Sequence, residues 1–438
     1  MKHKFIIISF CILLAGCMFE EVFSPLDNEL SSLIVDPAKY LLPSETDYSN
    51  IPQSPENPLT KEKVELGNLL FFEPAFSIEP KHYQSLNTYT CASCHVPEKG
   101  FRPGRFQGIA DGGVGFGNFG DGRTKNGIYD DSEIDAQGAR PLAVLNTAFV
   151  TNSMWNGSFG SKGVNIGTED QWGVSDPGTA RNNTHYGSLE SQNIEGLITH
   201  RMKYTEERIK AFGYKKMFDA AFPEMPIEQR YSNEAASFDL SAYLRALLTN
   251  QAPFQKWLKG DKNAMTEQQK SGAIVFFGKA GCVRCHSEPN LGSINFAAVG
   301  VKDLFENGGL KTDINDLRNK GRGGFTNKAE DFYKFRVPQL YNLGDGGPYF
   351  HGSSKQTLKE VVEYFNDAVP ENGRVPASQL SPFFKPLNLS EVEKEQLVAF
   401  LKDGLRDANL KRYVPERVNS GMCFPNNDYQ SKEDMGCH

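Results

Sequence analysis

The chain has 438 residues, of which 39% are apolar, and this length suits two or three domains. It carries 54 acidic and 47 basic side chains, which gives a formal net charge of −7. This balance argues against a nucleic-acid partner, because such a partner calls for a basic surface.

The first stretch, residues 1–17, has the pattern of a bacterial export signal. A basic start is followed by an apolar run over residues 5–14, which is too short to span a bilayer. Leu14-Ala15-Gly16-Cys17 resembles a lipobox, so we expect cleavage before Cys17 and lipidation of its thiol. The alternative is a soluble periplasmic protein with an incidental cysteine. The lipoprotein interpretation places the chain on the periplasmic side of the cell envelope, held to a membrane by its anchor.

The next segment, residues 18–58, is polar with scattered prolines, and this composition predicts a tether behind the anchor. Thr60 is then placed to N-cap a helix whose apolar positions run from Val64 to Phe71, and Pro74 ends it. A polar loop leads from this helix to the first of two short motifs that indicate chemistry.

The two motifs are C-x-x-C-H pentapeptides, which are typical of c-type haem attachment. Two thiols at this spacing can each form a thioether to one haem, and the histidine that follows can bind the iron. A redox dithiol or half of a zinc site is the alternative for one copy, but two copies in an exported chain favour haem. The predicted haem-binding residues are Cys91, Cys94 and His95 in the first motif and Cys282, Cys285 and His286 in the second.

A glycine-rich loop over residues 100–140 follows the first motif. It contains a formal G-x-G-x-x-G at residues 115–120, but no strand-like run precedes it and no helix signal follows it. These flanks argue against a dinucleotide site. We therefore predict a loop that packs close to a haem or to a seam between domains.

Helical spacing of apolar residues dominates the rest of the chain. Helices are predicted over residues 189–202, 204–222 and 233–248, with a domain boundary near residues 251–253. Capping boxes begin later helices at Thr266, Thr357 and Ser390. The helix after Thr266 leads into the second motif, so both halves have the order helix, turn, motif. The predicted fold is mainly α, with long connections where a haem replaces secondary structure as the packing partner.

The cysteine count leaves one pair for the C-terminal tail. Once Cys17, the haem-motif cysteines and Cys11 of the removed leader are set aside, Cys423 and Cys437 remain. Because both lie in an exported protein, we predict a disulfide between them. Its short loop would constrain the tail by roughly 3 kcal/mol in the chain-entropy model.

Taken together, these motifs resemble the bacterial di-haem cytochrome c peroxidase family, including its MauG-type members. The likeness covers about residues 60–415. It is carried by Leu66-Gly67-x-x-Leu70-Phe71-Phe72 before the first haem motif, by 146–149 with 155–157, by 278–282, and by 335–338 with 348–351.

The resemblance implies two cytochrome-c-like haem domains. A peroxide-reacting haem would lie in residues 59–252 and an electron-entry haem in residues 253–415, with residues 416–438 as a disulfide-bearing tail. A tryptophan between the haems matches Trp155, for which a core aromatic is the alternative. The implied reaction is reduction of hydrogen peroxide to water with electrons from a small periplasmic cytochrome c or a cupredoxin.

The chain departs from the family on the distal side of the first haem. No histidine lies between His95 and His185, so we expect an open or water-bound sixth position on the first iron. The family often has a glutamate before a methionine as its acid–base, but here the sequence is His200-Arg201-Met202. A histidine that moves a proton beside an arginine that stabilises negative charge is a sensible replacement. The alternative is a pair on a helix surface, with Glu190 and Glu195 as the fallback acids.

A second departure concerns the sixth ligand of the second haem. The family commonly uses a methionine, but none lies between Met265 and Met422, and the expected position falls on Phe365. MauG-type members place a tyrosine there. Tyr364 is adjacent, although neighbouring helix residues point about 100° apart. Tyr364, His351, another tyrosine or no ligand therefore remain open.

The resemblance also implies a calcium ion between the domains, with the carbonyls of Gly346 and Pro348 as candidate ligands. The family's asparagine ligand is replaced near Arg140, whose side chain supplies no oxygen.

A peroxidase is the leading functional hypothesis. The alternatives are a MauG-type oxidase that acts on a protein substrate and a non-enzymatic diheme electron carrier. A homodimer is a further expectation.

Overall fold

The computed structural model describes residues 24–437. The predicted leader at residues 1–17, with Cys17, lies outside this range. Within it, no helix combines the length and the apolar character that crossing a membrane requires.

Helices dominate the described residues, which confirms the mainly α prediction. The α-helices of this range are α1 Pro25–Leu33, α2 Lys61–Phe71, α3 Ser188–Thr199, α4 Glu206–Ala211, α5 Lys215–Ala221, α6 Ile227–Arg230, α7 Asn233–Ala246, α8 Pro253–Leu258, α9 Glu267–Phe277, α10 Gly323–Thr326, α11 Leu358–Asp367, α12 Glu391–Ala399 and α13 Tyr429–Met435. The strands form two short antiparallel pairs, β1 Gly113–Val114 with β2 Thr124–Lys125 and β3 Phe296–Ala297 with β4 Phe335–Arg336.

Local capping signals set several helix starts. The hydroxyl of Thr60 accepts from the backbone at the start of α2. The capping boxes at Thr266, Thr357 and Ser390 are all formed, at the starts of α9, α11 and α12. The segment predicted as one helix over residues 204–222 is two, α4 and α5, because Gly213 adopts a positive φ of 75° between them.

Each half of the chain is built on one close helix crossing. In the first half, α2 crosses α7 at Gly67, where a Cβ atom would lie 2.0 Å from the backbone oxygen of Asp239. In the second half, α9 crosses α12 at Gly272, where a Cβ atom would lie 1.9 Å from the backbone oxygen of Gln396. Any side chain at these two positions would push the helices apart, so both crossings require glycine.

Each end of the described chain packs into the core of the opposite half. The core of the second half includes Leu30, Ile34, Tyr40 and Leu42 from the N-terminal segment. The core of the first half includes Leu410, Tyr413 and Val418 from the C-terminal segment. Residues 24–58, predicted as part of a polar tether, thus contribute buried apolar side chains to the core of the second half, although Leu33 and Val35 of the same segment are exposed.

Asp27 anchors this N-terminal segment through a buried ion pair. Its carboxylate accepts from Trp257 Nε1 at 2.7 Å and from Lys270 Nζ at 2.8 Å. Burial alone would raise the pKa of Asp27, but the hydrogen bonds from Lys270, Ser24 and Trp257 outweigh it and lower the pKa to about 2. The charged form is thus held in place by three donors.

We expect Asp27→Ala to lower the free energy of unfolding by about 3–5 kcal/mol, because it leaves the Lys270 ammonium buried without a partner. Urea unfolding of the haem-loaded protein measures the change. Glu29→Ala on the exposed face of the same helix is the control and should change stability by less than about 0.5 kcal/mol. Equal stability of the two variants would show that the segment is only loosely attached.

Candidate haem sites

The two C-x-x-C-H motifs adopt the same tight turn. In the first, the backbone nitrogen of His95 donates to the carbonyl of Cys91 at 3.1 Å. In the second, the nitrogen of His286 donates to the carbonyl of Cys282 at 3.0 Å. None of the motif cysteines takes part in a disulfide. The thiols and the imidazole of each motif are therefore available on one turn, as thioether attachment requires.

A backbone carbonyl orients each motif histidine. His95 Nδ1 lies 3.1 Å from the Phe101 oxygen and His286 Nδ1 lies 2.7 Å from the Leu291 oxygen. A carbonyl only accepts, so Nδ1 carries the proton and Nε2 keeps its lone pair for a metal. Burial lowers the pKa of each imidazole to about 4, with the carbonyl bond opposing it. Both imidazoles are thus neutral at neutral pH, which is the form that can bind a metal.

The helix crossings place one phenylalanine against each of these histidines. The Phe71 ring centroid lies 6.4 Å from that of His95, and the Phe276 centroid lies 6.4 Å from that of His286. Both phenylalanines stand four residues after a crossing glycine, in the repeated pattern G-x-x-x-F-F at residues 67–72 and 272–277. The two halves thus use one local design.

A largely apolar cavity opens beside His286. Its walls include Val361 and Phe365 from α11, together with Trp155 and His351 from two loops. These side chains can cover the faces of a porphyrin. Phe365 stands where the family's methionine was expected, and a phenyl ring cannot bind iron.

The two candidate ligands for the second iron have other partners. The Tyr364 hydroxyl donates to the Val299 carbonyl at 2.5 Å, and its ring packs on those of neighbouring aromatic residues rather than lining the cavity. His351 lines the cavity, but its Nε2 lies 2.8 Å from an Asp303 carboxylate oxygen. The geometry therefore argues against Tyr364 as an iron ligand and gives His351 a carboxylate partner.

Trp155 lies at the junction between the two halves. Its Nε1 donates to the Arg140 carbonyl at 2.7 Å, and its own carbonyl accepts from the Arg336 nitrogen at 2.7 Å. The indole meets the rings of Phe335 and His351 edge-on, with centroids 6.4 and 6.1 Å apart. These contacts hold the indole in a fixed orientation against the His286 cavity.

The same cavity contains polar groups that suit a haem. Arg102, Arg140 and Arg336 line it, and all three are buried. The Nε atom of Arg140 is buried without any hydrogen-bond partner. A haem carries two propionate carboxylates, so an unsatisfied guanidinium in an otherwise apolar cavity fits that cofactor. The residues present thus fit a haem bound through Cys282, Cys285 and His286.

His200 lies on the side of the first motif. Its Nδ1 is 2.7 Å from a carboxylate oxygen of buried Asp135. Burial opposes protonation of His200, but the Asp135 carboxylate outweighs it and raises the pKa. The charge of His200 is also close enough to lower the pKa of His95. This carboxylate–histidine pair leaves His200 Nε2 as the nitrogen that can meet a substrate.

The other predicted distal residues form ion pairs with other side chains. The Arg201 guanidinium binds the Asp111 carboxylate and donates to the Glu133 carbonyl at 2.7 Å, so it braces the glycine-rich loop. Glu190 forms a fully buried ion pair with Arg245, which argues against its expected role as a fallback acid.

The second fallback acid, Glu195, is partly buried beside Arg181. Burial raises its pKa, with the Arg181 charge opposing the rise. Asp135 was missed by the sequence reasoning because it pairs with His200 across 65 residues and stands in a loop without a helical or strand period. Its one available signal was a carboxylate within the glycine-rich segment.

The C-terminal tail packs on the first haem motif. A disulfide joins Cys423 to Cys437. Between them, the Pro425 carbonyl accepts from the Thr90 hydroxyl at 3.0 Å, and the Asn427 nitrogen donates to the Thr88 carbonyl at 3.0 Å. The tail, predicted only as a disulfide-bearing extension, therefore clamps the chain that leads into Cys91.

Comparisons with known proteins identify relatives of this chain. Residues 61–263 match the family model described as di-haem cytochrome c peroxidase. The methylamine utilization protein MauG of Methylorubrum extorquens is 31% identical over 357 residues, which cover 81% of each chain. The cytochrome c551 peroxidase of Pseudomonas aeruginosa is 27% identical over 314 residues, which cover 71% of this chain and 73% of that one.

Solved structures with the same fold include a MauG-like protein associated with microbial copper homeostasis, at a TM-score of 0.57 and 23% identity, covering 84% of this chain and 95% of that one. The diheme peroxidase BthA from Burkholderia thailandensis gives a TM-score of 0.50 at 16% identity, covering 82% of this chain and 89% of that one. From its paired haem motifs and these relatives, the chain belongs to the di-haem cytochrome c peroxidase family, whose members carry two c-type haems.

Proposed function

We propose that this chain reduces hydrogen peroxide to water at the first haem. The observation that supports the proposal is the 2.7 Å contact between His200 Nδ1 and Asp135, because a histidine held by a carboxylate can act as an acid–base near His95. Peroxide reduction needs a group that takes a proton from one oxygen and delivers it to the other, and a histidine with a carboxylate partner does both. A haem held by His95 supplies the redox-active iron.

In this proposal the chain's own residues divide the remaining work. His200 Nε2 accepts the peroxide proton and returns it to the departing oxygen, while Asp135 fixes the ring through Nδ1 and stabilises the imidazolium. Arg201 binds Asp111 of the glycine-rich loop, and the Asp111 carbonyl accepts from the Asp135 nitrogen. These contacts hold Asp135 in position relative to α3. The overall reaction consumes two electrons and two protons for each peroxide and releases two waters.

Electrons are proposed to enter at the second haem and to cross through Trp155. Two observations support this direction. Arg284 in the second motif is exposed, whereas the corresponding Ser93 in the first motif is buried under the C-terminal tail. Trp155 contacts the second cavity and is bonded to Arg140, whose charge acts on His95. A small cytochrome c or cupredoxin on the periplasmic side would be the donor, with Cys17 as the lipid anchor.

Adding one equivalent of hydrogen peroxide to the fully reduced protein tests the function directly. We expect both haems to be oxidised, since each peroxide takes two electrons, and we expect a reduced cytochrome c to be turned over in the presence of excess peroxide. Haem-resolved absorption spectra and donor oxidation are the measurements. Reduced haems that persist after peroxide addition would favour a simple electron carrier.

Replacing His200 by Ala should lower kcat for peroxide by about 100-fold or more, because the proton shuttle is lost. His185→Asn, which changes an exposed histidine, is the control and should retain activity. Unchanged turnover in the His200 variant would reject its role.

Asp135→Asn should shift the acidic limb of the kcat/KM profile to lower pH. The Asp135 carboxylate raises the pKa of His200, so without it His200 stays neutral, and competent as a base, at lower pH. Steady-state rates across the pH range measure the shift. Asp131→Asn, on the exposed part of the same loop, should leave the profile in place.

Trp155→Phe should slow donor turnover roughly tenfold, as a barrier increase of about 1.4 kcal/mol would do. The first haem should still react with peroxide at the normal rate, because His200 and Asp135 are untouched. Stopped-flow measurement of each haem separates the two steps. Trp172→Phe, which removes a buried indole bonded to Thr168, is the matched control. Equal transfer rates in both variants would remove Trp155 from the path.

A MauG-type oxidase that acts on a protein side chain is the second candidate. Phe365 lines the second cavity in place of a methionine, and the relative from Methylorubrum extorquens is a MauG. Without a methionine ligand, the second haem loses the feature that raises its potential in Met-ligated cytochromes. Peroxide-dependent oxidation of a co-purified protein, without turnover of a donor cytochrome, would select this candidate.

The surroundings of Tyr364 and Phe365 predict opposite effects of substitution on the second haem. Tyr364→Phe should leave the spectrum of the second haem unchanged, because the Tyr364 hydroxyl is bonded to Val299. Phe365→Met should create a Met–iron bond and raise the potential of that haem, because residue 365 lines the cavity. Electron paramagnetic resonance and redox titration measure both changes. A spectrum altered by the Tyr364 substitution would restore it as a ligand.

The expected calcium position has a positively charged neighbour. Arg140 stands where an oxygen ligand was anticipated, and it shares one cavity with Pro348. A buried guanidinium repels a divalent cation, so we infer that chelators leave the haem spectra unaffected.

A further inference from the structure

Arg123 is a buried arginine within the glycine-rich loop. It is 1% exposed, and its guanidinium donates to the carbonyls of Ile109 at 2.5 Å and Ala110 at 2.9 Å. Among the salt bridges of residues 24–437, Arg123 forms one, with an Asp428 carboxylate oxygen 3.4 Å away. Burial lowers the pKa of Arg123, and the Asp428 carboxylate opposes this effect. The cation of the loop therefore takes its counter-charge from the C-terminal tail, 305 residues further along the chain.

The backbone that Arg123 holds also carries Asp135. The Ala110 carbonyl accepts from Arg123, and the Ala110 nitrogen donates to the Asp135 carbonyl at 3.0 Å. The Asp135 carboxylate in turn lies 2.7 Å from His200 Nδ1. A continuous series of contacts thus leads from Asp428 in the tail to the candidate acid–base pair.

The tail binds to the G-x-G-x-x-G at residues 115–120. Gly115 and Gly117 have positive φ angles of 79° and 61°, and their backbone nitrogens both face the tail. Asp428 accepts from the Gly115 nitrogen at 2.9 Å, and Asp434 accepts from the Gly117 nitrogen at 2.8 Å. Successive backbone nitrogens in such a turn form a concave anion-binding surface. The glycine pattern that does not suit a dinucleotide therefore binds carboxylates of the protein's own tail.

The disulfide between Cys423 and Cys437 encloses both of these carboxylates. Asp428 and Asp434 lie between the two cysteines in sequence. Asp428 also caps α13, because its carboxylate accepts from the Ser431 nitrogen at 3.0 Å. Closing this segment into a ring restricts how far the carboxylates can move from the loop.

We propose that Asp428 is a positioning residue for the reaction at the first haem. Through Arg123 it holds the glycine-rich loop in the shape that brings Asp135 to His200, and the disulfide keeps it there. Loss of the Asp428 carboxylate leaves a buried guanidinium without a counter-charge, which favours its movement toward solvent. That movement withdraws the hydrogen bond to Ala110 and displaces Asp135. The inference rests on the proposed function, since it concerns the acid–base pair of that reaction.

Steady-state peroxide kinetics of haem-loaded variants test this role, after haem content has been measured for each. We expect Asp428→Asn to lower kcat/KM for peroxide roughly tenfold or more, because a small displacement of an acid–base slows the reaction strongly. In a His200→Ala background, the same substitution should change the rate by less than about twofold, because the pair that it positions is already lost. The double variant Cys423→Ser with Cys437→Ser should also lose rate, because the tail is no longer held. Glu433→Gln, at an exposed carboxylate of α13, is the matched control and should retain the rate.

Hydrogen exchange of the same haem-loaded proteins gives a measurement that needs no activity. The amide nitrogens of Ala110 and Asp135 both donate to carbonyls within the loop, so peptides that cover residues 107–137 report on its shape. We expect Asp428→Asn to speed exchange in these peptides by roughly tenfold or more, while peptides from α9 keep their rates. Glu433→Gln should leave both sets of peptides unchanged.

Unchanged exchange in the loop of Asp428→Asn would overturn the proposal. An equal loss of rate with and without His200 would also overturn it, because Asp428 would then support the fold in general rather than the acid–base pair. If Asp428→Asn takes up no haem, the double cysteine variant decides, and unchanged rate and exchange there would reject the role of the tail. If the unmodified protein does not turn over peroxide, the proposed function fails. The exchange measurement then decides alone whether Asp428 holds the loop.

Discussion

The hydrogen bond between each motif histidine and a backbone carbonyl is the constraint on which both haem sites depend. His95 and His286 are each held at Nδ1, by Phe101 and Leu291 respectively. This contact selects the tautomer, fixes the ring and leaves Nε2 for iron. It also explains why the residues that follow each motif must form a tight return: the chain has to bring a carbonyl back to the imidazole within five or six residues.

The glycine-rich loop at residues 100–140 supplies several of the charged side chains around the candidate haem sites. It supplies Asp135 to His200, Asp111 to Arg201 and Arg140 to the junction between the halves. Its glycines allow the backbone to fold closely on itself, which a segment with regular side chains could not do. The loop therefore supplies the partners of His200 and Arg201 without regular secondary structure, and helical or strand periodicity could not reveal it.

Much of the fold could be predicted because its signals are local. Capping boxes at Thr266, Thr357 and Ser390 appear where the sequence placed them, and the mainly α architecture follows from apolar spacing. Partners far apart in sequence could not be predicted. Nothing in the order of residues pairs Asp27 with Lys270, or Glu190 with Arg245, because such pairs depend on how whole helices meet. The repeated G-x-x-x-F-F was visible in the sequence, but its meaning required the two helix crossings.

The clamp formed by residues 423–437 packs on the segment where the first haem would be attached. Thr90 and Ser93, which flank and separate the attachment cysteines, are bonded to Pro425 and Asn426 of the clamp. A clamp that closed early would restrict the chain on both sides of Cys91, although Cys91 and Cys94 themselves stay partly exposed in the folded state. Haem attachment needs four reduced thiols, whereas the tail needs its two cysteines oxidised. Maturation of this protein thus requires reduced and oxidised cysteines in the same polypeptide.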